Sequence, residues 1–160
     1  MRTGLLALAG LMALVGSAAL GAEPMRVGPP RSGIATSVAV PAGLTTVYVS
    51  GLVPSALPNA DAAAKPAYGD TKTQTLSVLN KVADALKAHN MTFADVVMMR
   101  VYLVADPATG EMDFAGMNSA YAQFFGTPQQ PNKPARMTAQ VAKLAGPFLV
   151  EIEAQAAKAP

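Results

Sequence analysis

The sequence predicts an α+β fold, two helices laid on one face of a sheet of four or more strands. Three observations predict it. Apolar residues recur at helical spacing in two segments only. Four other segments are short strand candidates bounded by Gly, Pro, Asn or Asp. Along the chain these alternate as strand, helix, strand, helix, strand, strand. The 160-residue length suits one domain.

Residues 1–22 stand apart from that domain. They hold one charge, Arg2, ahead of a nearly pure Leu/Ala/Gly/Met run over 5–20, with small residues Ser17, Ala18, Ala19, Gly21 and Ala22 before Glu23-Pro24. This is the layout of a secretory signal peptide cleaved near Ala22, and it implies an exported, periplasmic or secreted protein with no membrane contact after cleavage. An uncleaved membrane anchor is the alternative, because residues 4–22 carry no charge over about the length a bilayer requires. Residues 23–33, rich in Pro, Gly and Arg, read as an extended lead-in to a single domain over 34–160.

Within the domain, 45–50 (TTVYVS) is a strand ending at Gly51. The stretch 52–69, with Pro54, Pro58 and Pro66, is a long surface loop. Asp70 caps a helix whose apolar positions are Leu76, Leu79, Val82, Ala83 and Leu86, and Asn90 ends it in a left-handed conformation. A buried strand follows at 96–104 (VVMMRVYLV), apolar on both faces, which favours a homo-oligomer. After a turn at 106–111, Asp113 caps a second helix with Phe114, Met117, Tyr121 and Phe124 on one face and Gly126 as its stop. Segments 135–142 and 149–156 are the last strands.

Composition excludes several functions. Zero cysteines remove disulfide scaffolds, thiolate metal sites and thiol catalysis. The single histidine, His89, removes multi-histidine metal centres and reads as a helix-end surface residue. Net charge is +2 with 14% charged residues, so no polycationic nucleic-acid surface is expected.

Two features carry chemistry. Arg136 opens a strand on which alternation groups it with Thr138 and Gln140, a polar row rather than a core row. A guanidinium there offers a planar fork to a carboxylate; from spacing alone a structural salt bridge or a solvated residue is the stronger assignment. Glu151 and Glu153 share a strand face, which is either a solvated charge face or the seat of a carboxylate that moves protons.

Ser50-Gly51-Leu52-Val53-Pro54, Phe114-Ala115-Gly116-Met117-Asn118 with Tyr121 and Phe124-Phe125-Gly126, and Pro134-Ala135-Arg136 through Val150-Glu151-Ile152-Glu153-Ala154 resemble the Rid family of enamine/imine deaminases over about residues 34–156. The resemblance implies a chorismate-mutase-like fold, a homotrimer with clefts between subunits, and last strands that flank strand 96–104 instead of forming a hairpin. It implies hydrolysis of 2-imino or 2-enamino acids to 2-keto acids and ammonia, without a cofactor. Arg136 would grip the substrate carboxylate, and Glu151 would handle the water. Ser50, Gly51, Asn118 and Thr138 would line the site. Departures from the family pattern fall on its walls: Ser37 stands for a tyrosine, Leu52 for a glutamine, Thr138 for a cysteine and Met137 for a small residue. Two other functions stay open. One is a non-catalytic trimer that binds small carboxylates. The other is a ribonuclease, which the low charge and lone histidine disfavour.

Overall fold

The computed structural model describes residues 23–58 and 67–160. The leader expected over 1–22 and the centre of the loop at 59–66 lie outside the described residues. The remainder forms an α+β fold of two helices on one face of a four-stranded mixed sheet, preceded by a small strand pair.

That pair, β1 (Met25–Val27) and β2 (Ser37–Ala39), is antiparallel; β1 falls in the expected lead-in, where composition had suggested only extended chain, and β2 falls just beyond it. Arg26 ties it to the domain by donating from Nη2 to the carbonyls of Ala94, at 2.8 Å, and Val96, at 3.2 Å.

The main sheet contains β3 (Thr45–Leu52), β4 (Val96–Val104), β5 (Ala135–Val141) and β6 (Val150–Lys158), in the order β3-β6-β4-β5. The last strand runs between β3 and β4, antiparallel to both, and β5 lies parallel to β4 on the other side. A parallel neighbour needs a crossover, and α2 (Phe114–Tyr121) supplies it between β4 and β5. The longer α1 (Thr71–Lys87) connects β3 to β4.

Local chemistry sets the helix ends. Asp70 accepts from the Thr73 amide at 2.7 Å, and Asn90 takes φ of 57° three residues beyond α1. Asp113 accepts from the Gly116 amide at 2.8 Å. The buried stripe of α1 differs from the expected one: Thr71, Gln74, Thr75, Val78, Leu79, Val82 and Leu86 face inward, while Leu76 and Ala83 are half-buried. Of its polar residues Gln74 and Thr75 find partners for their side chains, whereas the Thr71 hydroxyl has none among the described residues. Gln74 donates to the Gly69 carbonyl and accepts from the Leu149 amide, both at 2.8 Å, which pins the start of α1 to the segment before β6. On α2 the buried residues are Met117, Ala120 and Tyr121, whereas Phe114, expected in the core, is 44% exposed.

Core side chains on the helix side are Val47 and Val49 of β3, Met99, Val101 and Leu103 of β4, and Ile152 and Ala154 of β6. A register shift between Val96 and Met98 adds Val96 to this set, where strict alternation would turn it to the other face. Among the described residues, no helix lies on the opposite face. It carries Arg100, Tyr102, Glu151, Glu153 and Tyr48, the last 73% exposed. Strand 96–104 is therefore two-sided as expected, but its second face is half-polar, with an Arg100–Glu153 ion pair at 2.7 Å.

Candidate active site

Two clusters contain the residues singled out by the sequence, and they lie on opposite faces of the sheet. Arg136 pairs in register with Met99, and Thr138 with Val101, so this row of β5 continues the helix-covered face of β4. It is polar, as alternation suggested, yet Arg136 and Thr138 face the helix layer, and only Gln140 at its far end is exposed. The edge position of β5 reconciles the two, because the core ends at β4 and the helix beyond it is short.

Arg136 lies against α2. Its Cζ sits 4.2 Å from the centroid of the Tyr121 ring and 5.8 Å from that of Phe114. Nη2 donates to Asn118 Oδ1 at 3.0 Å, and Nη1 makes a long 3.9 Å contact with Met117 Sδ. Positions 114, 117, 118 and 121 project to this one place because helical spacing brings residues three, four and seven apart onto one face. Among the described residues, no carboxylate lies within 4.0 Å of the guanidinium. The salt-bridge assignment is thus replaced by a cation held on rings and an amide. Burial lowers the Arg136 pKa, and the Tyr121 phenol opposes that shift. The group nonetheless stays protonated, as arginine does in proteins.

A guanidinium has no acceptor, so Asn118 must turn its oxygen toward Arg136. Its amide nitrogen is thereby presented on the other side as a further donor. Thr138 Oγ1 is buried without a partner among the described residues. Donors dominate this corner, which suits an anion.

The second cluster is on the open face. Glu151 pairs with Tyr102 and alternates with the core residues Val150 and Ile152. Glu153 is engaged by Arg100, with the Tyr102 hydroxyl at 3.4 Å. Glu151 has no hydrogen-bond or ion-pair partner among the described residues, so the two glutamates are not equivalent. Its carboxylate lies over Gly51, where a Cβ would collide with Oε1. The close approach expected at Gly51 is therefore made by this chain's own glutamate. Ser50, exposed at the end of β3, adjoins it.

Arg136 and Glu151 cannot meet within one chain. Two inter-strand steps and three residues along the strands put their Cα atoms roughly 14 Å apart, with side chains on opposite faces. Sequence reading singled out both residues and missed this separation. It also assigned Tyr121 no role beyond helix packing, although its three-residue spacing from Asn118 was a usable signal.

Fold and site together define a small α+β protein with an uncompensated arginine at one sheet edge and a lone glutamate on the uncovered face. A family model described as Endoribonuclease L-PSP matches residues 36–158. The chain belongs to this family, the Rid or RutC family. A RutC family protein of Sulfurisphaera tokodaii is 35% identical over 108 residues, 67% of this chain and 75% of that protein. Another, from Pyrococcus horikoshii, is 40% identical over 90 residues, and the match spans 56% of this chain and 64% of that relative's length. Among solved structures, a Rid-family protein of unknown function from Yersinia pestis superposes with a TM-score of 0.64 at 25% identity, covering 86% of this chain and all of that one. A YjgF/YER057c/UK114 family member from Mycobacterium tuberculosis does so with a TM-score of 0.52 at 28% identity, covering 78% of this chain and 86% of that one.

Proposed function

We propose that this protein is an exported hydrolase that converts small 2-imino or 2-enamino acids to 2-keto acids and ammonia. Its sites are clefts shared by neighbouring copies of a homotrimer. The observation that carries this reading is the Arg136 fork, half-buried, backed by Tyr121 and Asn118, and without a carboxylate of its own. A half-buried cation left without an acid is costly unless something arrives to pair with it. A substrate carboxylate fits that fork bidentately, and the Asn118 amide nitrogen supplies a third donor. Holding the carboxylate fixes the adjacent C=N carbon.

Glu151 then serves as the proton-handling group, supplied by the neighbouring copy because it faces away from Arg136 in its own chain. As a water oxygen bonds to the imine carbon, the C=N electron pair moves to nitrogen and Glu151 accepts the water proton. The same carboxylate returns that proton to nitrogen. Glu151 then passes the remaining hydroxyl proton of this carbinolamine to nitrogen as well, so the C–N bond breaks as the carbonyl forms, and ammonia and the 2-keto acid leave. An enamine enters the same path after protonation at its β-carbon. Imines hydrolyse readily unaided, so a thousandfold gain needs only about 4 kcal/mol of transition-state stabilisation. Positioning plus one base is enough for that, and no step calls for a metal or organic cofactor.

The test is keto-acid release from a 2-imino acid generated in situ by an amino-acid oxidase, alongside calorimetric binding of the product 2-keto acid. Faster release with the protein present supports the proposal. Binding without faster release identifies a carboxylate-binding module instead. The family description names an endoribonuclease, but a +2 chain with His89 exposed beyond α1 does not favour a phosphate track, so RNA is the control substrate.

Gly51 provides a second check. Gly51→Ala places a methyl where the Glu151 carboxylate now lies, at a solvent-exposed strand end. The expected result is a kcat about tenfold lower, with KM and melting temperature nearly unchanged, because a small displacement of a catalytic group costs rate before it costs folding.

A further inference from the structure

We propose that Tyr121 is the positioning residue of the Arg136 clamp and acts through its ring, not its hydroxyl. The inference rests on the deaminase reading for its ligand and on geometry for its content. Tyr121 is 2% exposed, and its ring stacks on that of Phe125 at a centroid distance of 4.6 Å and an interplanar angle of 16°. The guanidinium covers the other side of the same ring at 4.2 Å. The three groups form a column, Phe125, Tyr121, Arg136, rooted in the core. Phe125 is itself braced edge-on by Phe93 at 5.1 Å.

A half-buried arginine normally has its desolvation offset by pairing with an acid. That solution would occupy the fork and cancel the charge a substrate needs. A ring face attracts the cation electrostatically and takes up none of its N–H donors. Tyr121 therefore stabilises the charged clamp while leaving its edge open, and Asn118, one turn earlier on α2, sets the in-plane rotation by accepting from Nη2. The hydroxyl plays no visible part: Tyr121 Oη is buried and has no hydrogen-bond partner among the described residues.

The experiment compares Tyr121→Phe and Tyr121→Leu with the wild-type chain. It measures calorimetric affinity for pyruvate and for pyruvamide, which lacks the carboxylate, and KM and kcat for imine hydrolysis. Phe is expected to stay within about twofold of wild type in every measure. Leu is expected to weaken pyruvate binding and raise KM about tenfold, leaving pyruvamide binding and kcat within about threefold. A merely structural role would affect both ligands and kcat together, and that result overturns the inference. So does a Phe variant as impaired as Leu, which would place the effect on the hydroxyl. If Arg136→Ala leaves pyruvate binding intact, the functional reading itself fails. If Arg136→Ala abolishes binding while folded Tyr121→Leu retains it, only the present inference fails. Should the Leu variant not fold, the wild-type protein decides: an upfield ring-current shift of the Arg136 Hε and Hδ resonances is expected, and its absence overturns the assignment.

Discussion

Replacing Arg136 by alanine is expected to lower kcat/KM for imine hydrolysis by at least about a hundredfold and to abolish calorimetric binding of 2-keto acids. Truncating one partner of a buried, hydrogen-bonded charge pair typically costs about 2–5 kcal/mol, which corresponds to roughly 30- to 5,000-fold. Here a thousandfold total acceleration would bound the loss, so the variant should approach the spontaneous rate. Lysine at this position keeps the charge but loses the planar fork and its stacking on Tyr121, and it should recover little of the activity. Folding should survive both changes. No carboxylate within 4.0 Å, among the described residues, would be left without a partner, and removing a half-buried cation relieves a desolvation cost. Wild-type rates in Arg136→Ala, with the chain folded, would remove the catalytic proposal.

Glu151→Gln is expected to lose about a hundredfold in kcat with little change in KM, in line with the contribution of a positioned general base. The larger consequence comes from mixing. Because Arg136 and Glu151 lie on opposite faces of one sheet, a cleft containing both draws them from two chains. Arg136→Ala and Glu151→Gln proteins, each inactive alone, should regain activity when unfolded together and refolded at equal concentration. In a ring of randomly mixed subunits, each cleft receives a wild-type arginine and a wild-type glutamate with a chance of one half apiece, so recovery should approach about a quarter of the wild-type rate. Failure to recover any activity from mixed assemblies, each single variant being inactive, would exclude the shared cleft.

The elements were legible because their signals are local. Asp70 and Asp113 cap the helices where expected, Asn90 takes positive φ just past α1, and the strand segments fall within a few residues of their expected bounds, but α2 ends at Tyr121, five residues short of Gly126, its expected stop. Less legible was which residues turn inward. Gln74 and Thr75 are buried in place of Leu76 because a distant amide, that of Leu149, and a local carbonyl, that of Thr71, satisfy them. The exposed ring of Phe114 could not be foreseen either. It depends on the core ending one strand short of the sheet edge.

The same division holds for the candidate site. Residue types by themselves left Arg136 as either a carboxylate fork or a structural ion pair, and Glu151 and Glu153 as either a solvated face or a proton carrier; the resemblance to the Rid family is what joined Arg136 and Glu151 in one site. Tertiary structure alone decided that Arg136 rests on Tyr121 instead of an acid, and that Glu151, not Glu153, lacks a partner among the described residues. It also decided that the two chemical halves face away from each other. The reason is physical: capping, turn formation and alternation act over a few bonds, whereas strand order and pairing register are set by which distant surfaces can be buried together, and a one-dimensional pattern does not record that.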